Sequence, residues 1–520
     1  MKRSEFYLKT RALFLAVLMV SSMLVFTNCG GGSGGTGKAE PENTTPAISS
    51  ACNLSLFQFK AASNPGLPTN PTAVITTIRG FNMVLITVPE STDLTKLVPT
   101  FSASDKATVT IAGKAAVSGT TSVNFTGDVS LIVKAEDGTH SKQYTVLVRK
   151  GDAEMDAQVY SIMSKYNIPG ISVATTKKEK LAYAAGYGYA NMESSPKQRV
   201  TPDMLFRLAS VSKFQCALCI MSLYEDGLLS PDDYVFAPAG ANGEGSKEGI
   251  LQSMYPGAHA AGVDKIKVRH LLTHTSGWNY STTANSSGTV DPIFTGDSRF
   301  YGKTLKQRVE YMVNTPTSYT PGANYSYYNL GYCVLGQIVE KITGGTYEAY
   351  LKEVEAKAGV TDVWIAKNSK SQRRDNEVCY YAQQSTDAYQ NDMAVVAACG
   401  AVINSAVNLM QLVCAIDYGT VVPDILQKET LDMVYTDYTS ADPPKTKGGY
   451  GFGWRIGHNT LTNWASYHGG NINGTATIIV RGKNGVHGVL LCNSRSYIDD
   501  FDTALYLALN NIMSRTNDIY

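Results

Sequence analysis

Ser210 and Lys213 stand three residues apart in the stretch Leu205-Phe206-Arg207-Leu208-Ala209-Ser210-Val211-Ser212-Lys213. On a helix that spacing puts both side chains on one face, close enough to interact. A serine hydroxyl is a poor nucleophile until a base takes its proton, and a lysine whose pKa burial has lowered can serve. The pair therefore reads as an activated nucleophile for acyl transfer. The bland alternative is a serine N-cap followed by a solvated lysine, and four residues do not decide between the two.

The element that must position the pair is legible around it. Phe214, Ala217, Leu218 and Met221 give a helical period that runs to Asp226 and stops at Gly227. A short strand or loop breaks into that helix, and the free N–H groups of its first turn favour negative charge. Rival motifs fall away on local grounds. Ser194-Ser195-Pro196-Lys197 repeats the S-x-x-K spacing, but proline pushes the residue before it out of helical geometry. Gly31-Gly32-Ser33-Gly34-Gly35 matches G-x-S-x-G in a segment with no strand-to-helix turn. His270 and His274 lie four apart, yet Leu271 stands where a zinc helix needs glutamate. That segment reads as scaffold, with Leu271 and Leu272 in the core and Thr275-Ser276-Gly277 turning towards the site. Cys216 and Cys219 sit deep in an apolar helix rather than at an exposed helix start, so they read as buried thiols.

A chain of 520 residues exceeds one core and implies two or three domains. Basic and acidic residues nearly cancel, 45 against 44, with no long basic run, which argues against a nucleic-acid partner. Lys2, Arg3, Lys9 and Arg11 precede an apolar run from Ala12 that ends near Phe26. This is a signal-peptide layout, too short for a stable membrane span. The following Phe26-Thr27-Asn28-Cys29 resembles a bacterial lipoprotein signal, in which the cysteine is acylated. A lipobox prefers other residues at positions 26 and 28. Residues 1–28 are thus expected to be a signal peptide, Cys29 a lipid anchor and residues 29–50 a Gly/Ser/Pro-rich tether. The expected location is the bacterial cell envelope, at the periplasmic face or the outer surface.

From 51 to 150 the period changes to two. Ala73–Ile78, Met83–Val88 and Ala107–Ala112 read as strands, and Val129–Ala135 pairs with Tyr144–Val148 around Asp137-Gly138. About seven short strands without helical signal make a small β-sandwich. It resembles the immunoglobulin-like modules at the front of many bacterial surface lipoproteins, which implies a spacer or a contact with the cell wall or surface. From 151 to 520 helix and strand signals mix. Strands at Ile168–Ala174 and Lys180–Gly186 return only at Thr475–Arg481 and Val486–Asn493, before a last helix at about 499–513. A sheet built from both ends around a helical middle is an α+β arrangement.

Three further segments stand in order behind Ser210 and Lys213. They are Val268-Arg269-His270-Leu271-Leu272-Thr273-His274-Thr275-Ser276-Gly277, Tyr325-Ser326-Tyr327-Tyr328-Asn329-Leu330-Gly331-Tyr332 and Tyr467-His468-Gly469-Gly470-Asn471. In order and rough spacing they resemble the serine β-lactamase and penicillin-binding-protein superfamily, in its class C-like branch with DD-peptidases, D-amino acid peptidases and carboxylesterases. Tyr450-Gly451-Phe452-Gly453-Trp454 fits the same branch. The resemblance implies a β-lactamase-like fold with an antiparallel sheet, flanking helices and a helical subdomain. It also implies Ser210 as nucleophile, Lys213 as its proton partner, Tyr327 as general base or relay and Asn329 as the residue positioning substrate and lysine. Backbone N–H groups of Ser210 and Asn471 would form the oxyanion hole, with Gly469 and Gly470 lining the substrate. A phenol needs a neighbouring cation to act as a base near neutral pH, and Lys213 is available. The departure is His468, where lactamases carry the lysine of Lys-Thr-Gly. It removes a fixed charge that helps hold a lactam carboxylate, and the resemblance implies His468 as a catalytic residue whose imidazole orients a carbonyl or relays a proton near pH 7.

The expectation is therefore a lipid-anchored serine hydrolase, free of cofactor and metal, acting on small esters or on D-amino acid and peptidoglycan-type peptides. The alternatives are a β-lactamase and an inactive surface-binding protein.

Overall fold

The computed structural model describes residues 48–279, 291–293, 298–384, 387–439, 449–457 and 464–520. The signal peptide, Cys29 and nearly all of the tether lie outside these residues. The described chain from Ser49 onward forms one compact unit.

Its first part is all β: β1 (Leu54–Phe59), β2 (Val74–Ile78), β3 (Phe81–Val88), β4 (Pro99–Ala103), β5 (Thr108–Ile111), β6 (Lys114–Ala115), β7 (Val129–Lys134) and β8 (Ser141–Lys150). β1 and β4 pair alone, and the others form a sheet in the order β2-β3-β8-β7-β5-β6. Alternation decides which face is inside. Val129, Leu131 and Val133 are buried while Lys134 is exposed, as the two-residue period requires. Between the two sheets Phe57, Phe59 and Phe125 meet edge to face, with centroids 5.3–6.2 Å apart. The expected hairpin is present, Val129 to Lys134 facing Ser141 to Val146. The parallel pairing of β3 with β8 was not readable, because it joins strands more than fifty residues apart through no local turn.

The second part adds β9 (Gly170–Lys177), β10 (Lys180–Asn191), β11 (Gln198–Arg199), β12 (Phe206–Arg207), β13 (Trp364–Ile365), β14 (Val402–Asn404), β15 (Gly449–Tyr450), β16 (Arg455–Ile456), β17 (Trp464–Ile472), β18 (Thr475–Gly482) and β19 (Val486–Cys492). Its principal helices are α1 (Ala153–Tyr166), α2 (Ser212–Glu225), α3 (Asn329–Thr343), α4 (Ala406–Cys414) and α5 (Phe501–Ile519). Eight strands form one antiparallel sheet, β11-β10-β9-β19-β18-β17-β16-β15. Strands from both ends of the domain meet where β9 pairs with β19, the α+β arrangement expected. α1 and α5 pack their Met155, Val159, Leu505 and Leu509 against one side. α2, α3 and α4 share the larger core of the helical part. β17 was not read as a strand, since Gly469 and Gly470 weaken any strand pattern. Its partners β16 and β18 supply the pairing instead.

The β module is not a bead on a string. Ile78, Met83, Leu85 and Leu147 from its sheet join Met155, Val159 and Met163 of α1 in a single core. A buried polar knot ties the seam. Asp156, with no exposed surface, accepts hydrogen bonds from Thr87 Oγ1, Tyr183 Oη, Tyr187 Oη and Arg149 Nε, all at 2.7–2.8 Å. Removing one partner of a buried ion pair strands the other, at a cost of about 3–5 kcal/mol. Asp156→Ala should therefore lower the stability of the whole unit by about 3 kcal/mol in a denaturant titration, with the β module and the part from 151 onward unfolding together. A variant as stable as the parent would show that the knot does not hold the seam.

Candidate active site

The strand-to-helix break at Ser210 is built by its neighbours. Leu208 N–H donates to Val402 O at 2.9 Å, and β12 pairs with β14, so the chain enters the turn on a fixed track. Arg207 is fully buried. Its guanidinium donates to Ala388 O and Lys367 O at 2.8 and 3.0 Å and lies over the rings of Tyr380 and Tyr389. Ala209 takes a left-handed backbone, φ 47°, a conformation that costs a residue with a Cβ about 1 kcal/mol or more. A 3-10 turn at Ala209–Val211 then runs straight into α2.

Lys213 is the second residue of that helix and is completely buried. Its Nζ donates to Cys399 O at 2.8 Å and to Asn329 Oδ1 at 2.9 Å, and contacts Ser210 Oγ at 3.1 Å. An ammonium has three donors, and all three are used. Burial disfavours its charge, but contact with Tyr327 and Cys399 outweighs burial and Lys213 lies above its ordinary range. Three acceptors around one Nζ are the surroundings of an ammonium, the cation that the Tyr327 reading calls for. Gly453 explains part of the packing here. It has φ 79°, and a Cβ there would meet Phe214 Cα at 2.6 Å and Lys213 O at 2.9 Å.

Asn329 is the first residue of α3, and its amide is held from behind by Asp291. The buried Asp291 Oδ2 accepts from Asn329 N at 2.7 Å and from Asn329 Nδ2 at 3.1 Å, which turns Oδ1 towards Lys213. Burial pushes the Asp291 carboxyl up, partly offset by the N–H groups of Asn329 and Ile293. The sequence gives no sign of Asp291, which has no motif around it. Tyr327 lies 4.9 Å from Lys213 Nζ, measured to the ring centroid, and packs against His274 with ring centroids 4.2 Å apart and planes tilted by 36°. His274, 2% exposed, supports Tyr327 from behind the cavity, as scaffold. Its Nδ1 accepts from Tyr328 N–H at 3.1 Å. Burial, with the positive charge of Lys213, holds the imidazole well below its ordinary range, so it is neutral.

On the opposite side β17 crosses close to the nucleophile turn. At Gly470 a Cβ would meet Leu208 O at 2.2 Å and Thr477 Oγ1 at 2.3 Å, so only glycine lets the strand approach the turn before Ser210. Gly469 faces the other way, its Cβ position 2.6 Å from Tyr506 Oη. Neither glycine lines the cavity, which corrects their expected place against substrate: they set the approach of the strand. His468 also differs from expectation. It is 1 % exposed, donates from Nδ1 to Gly469 O at 2.7 Å and accepts at Nε2 from Tyr450 Oη at 2.9 Å. Burial first, then the charges of Arg455 and Lys213, keep it neutral. With both nitrogens occupied and its ring outside the cavity wall, it has no free atom for a substrate.

Ser210, Tyr327, Asn329 and Asn471 all face one cavity of about 940 Å³. Its walls carry Gln390, Asn391, Tyr301 and Tyr497, with Val395, Val396 and Ile472 as the apolar part. Arg308, Asp392 and Arg495 also line it, so its wall is largely polar and charged, and its volume suits a small molecule. Among the described residues no group of three or more His, Cys, Asp and Glu side chains converges as a metal site.

Known proteins share this framework. The Beta-lactamase family model matches residues 152–511, and a second model, SGBP N-terminal, matches residues 69–148. Esterase EstB from Burkholderia gladioli is 28% identical over 193 residues, covering 37% of this chain and 45% of the esterase. An N-acetylmuramyl-L-alanine amidase from Bacillus subtilis is 27% identical over 231 residues, 43% of this chain and 46% of the amidase. The chain thus spans less than half the length of these relatives. A penicillin-binding protein homologue from Pyrococcus abyssi superposes with a TM-score of 0.55 at 24% identity, over 69% of this chain and 78% of that one. A class C beta-lactamase does so at 0.53 and 19% identity, over 69% and 95%. With the family model matched over residues 152–511 and the fold shared with these structures, the chain belongs to the beta-lactamase family.

Proposed function

We propose that this protein hydrolyses small esters or D-amino acid and peptidoglycan-type peptides through a covalent acyl-enzyme on Ser210. The observation that carries the reading is the setting of Lys213. Two obligate acceptors, Cys399 O and Asn329 Oδ1, take two of its N–H bonds and aim the third at Ser210 Oγ. The hydroxyl is thereby oriented and its developing negative charge met by a buried cation, where low dielectric makes the charge most effective.

In this reading Tyr327 works as a phenolate beside the Lys213 ammonium, and takes the Ser210 proton as Oγ attacks the substrate carbonyl carbon. The tetrahedral oxyanion is met by the backbone N–H groups of Ser210 and Asn471. As the carbon–leaving-group bond breaks, the proton goes to the departing alcohol or amine. Water then attacks the acyl-serine, with Tyr327 taking and returning a proton in the same way, and the acid is released. His468 acts indirectly, by fixing Tyr450 and β17. Relatives named as an esterase, a muramyl-alanine amidase and a D-amino acid amidase support this substrate range. A β-lactam carboxylate finds no lysine at position 468, which favours esters and peptides over lactams.

Purified protein should hydrolyse p-nitrophenyl butyrate, unaffected by EDTA and faster than a chromogenic cephalosporin. Ser210→Ala should lose at least about a thousandfold in kcat while melting like the parent. An active alanine variant would refute the nucleophile assignment. Parent protein inactive on all esters and D-amino acid amides would favour the binding-protein alternative.

The location forms part of the proposal. Export with acylation of Cys29 would put the enzyme on a bacterial membrane, and an immunoglobulin-like module at 51–150 would lie beside it as a contact to the cell wall or surface. No helix among the described residues is long and apolar enough to cross a membrane. In cells, Cys29→Ser should move the protein from the membrane to the soluble envelope fraction. Unchanged partitioning of that variant would rule out the acyl anchor.

A further inference from the structure

The cavity that holds Ser210 also presents a cation that the proposed mechanism does not use. Arg308 lies on the helix Leu305–Val313, is 8% exposed and lines the cavity wall. Backbone carbonyls hold its guanidinium. Nε donates to Lys303 O at 2.9 Å, and Nη1 donates to Pro292 O and, at 3.5 Å, to Ile293 O. Nη2 has no partner among the described residues, and no described carboxylate comes within ion-pair distance. Asp392 and Asp291 lie near enough to favour the charge, yet burial outweighs them. Asp291 is committed to the N–H groups of Asn329 and Ile293. Asp392 accepts from Ala394 N–H at 3.2 Å and Asn368 Nδ2 at 3.5 Å. The other guanidinium of the cavity, Arg495, has Asp502 at 3.6 Å. Arg308 is thus a fixed cation whose charge is left uncompensated, and burial of that kind normally comes with an anion.

We propose that Arg308 seats a carboxylate of the substrate, so that the enzyme acts on esters or peptides bearing an acidic group near the bond it cleaves. The two N–H bonds of Nη2 are free to take the carboxylate in a charge-assisted contact. The carbonyls that hold Arg308 also place it. Pro292 and Ile293 follow Asp291 directly, so the seat is fixed to the segment that orients Asn329. Ile293, Phe300 and Tyr301 belong to the same cavity lining. This is a different wall from β17, so Arg308 does not replace the lysine absent at position 468 and meets another part of the substrate. It determines specificity and takes no part in proton transfer.

The inference rests on the Ser210 reading, and a ratio of rates tests it. Two ester pairs differ in charge alone: mono-p-nitrophenyl glutarate against its carboxamide, and acetylated para-hydroxybenzoate against acetylated para-hydroxybenzamide. The first puts the carboxylate on the acyl side, the second on the leaving group. In at least one pair the parent should favour the acid by about tenfold or more in kcat/KM, after subtraction of the uncatalysed rate. A cavity without a seat would favour the amide, because the carboxylate would lose its water for nothing. Arg308→Gln should bring the ratio down to about one or below, while Arg495→Gln keeps most of it. If Arg308 only braced residues 292 and 293, its loss would slow acid and amide alike and leave the ratio unchanged. No preference for the acid in the parent, an unchanged ratio in Arg308→Gln, or an equal loss in Arg495→Gln would overturn the proposal. Should Arg308→Gln not fold, Arg308→Lys takes its place, since an ammonium lacks the planar fork: a ratio below the parent's supports the seat, and an unchanged one overturns it. Hydrolysis that survives Ser210→Ala would fault the underlying mechanism, whereas its loss there with no acid preference in the parent would fault this inference alone.

Discussion

A buried ammonium without a bonded carboxylate costs several kcal/mol unless neutral oxygens replace its water. Lys213 is such a group, and much of the surrounding structure exists to satisfy it. The short helix at Ala397–Gly400 offers the Cys399 carbonyl, α3 starts with Asn329, and α2 carries the lysine itself. Asp291 completes the arrangement from behind, so the nearest buried negative charge reaches Lys213 through the Asn329 amide instead of directly. A direct ion pair would hold the lysine away from Ser210. One amide in between keeps the charges balanced and leaves a donor for the hydroxyl.

The same logic runs through the second wall. β17 must come close to the turn that holds Ser210, and Gly470 permits it by having no Cβ to strike Leu208 O. Once the strand is that close, residue 468 is enclosed by Tyr450 and its own neighbour's carbonyl. A neutral ring suits that enclosure better than a lysine would. The fused β module belongs to the same compact unit, because its sheet shares apolar core with α1 and the Asp156 knot crosses the seam. Whatever the module touches is therefore held in a fixed relation to the hydrolase part.

Much of this could be read from the sequence, wherever the signal was local. Ser210 and Lys213 announce a helix turn, Tyr327 and Asn329 announce the start of another, and alternation at Val129–Val133 marks a strand with its buried face. Contributions from far along the chain were silent. Asp291 joins the site through tertiary approach, with no pattern around it that distinguishes a site residue from any other. His468 was legible as a departure but not in its orientation, since residue type does not say which way a ring turns. The parallel β3–β8 pairing and the strand character of β17 escaped for the same reason: neighbours across the sheet impose them against weak local propensity.

The central claim is that the Lys213 arrangement makes Ser210 the residue that becomes acylated. Brief incubation with a fluorophosphonate, followed by digestion and mass spectrometry, tests it without knowledge of the natural substrate. The account predicts one adduct per chain, on the peptide containing Ser210, absent after unfolding the protein before labelling. An adduct confined to another serine, or none in folded protein that still turns over ester, would contradict it.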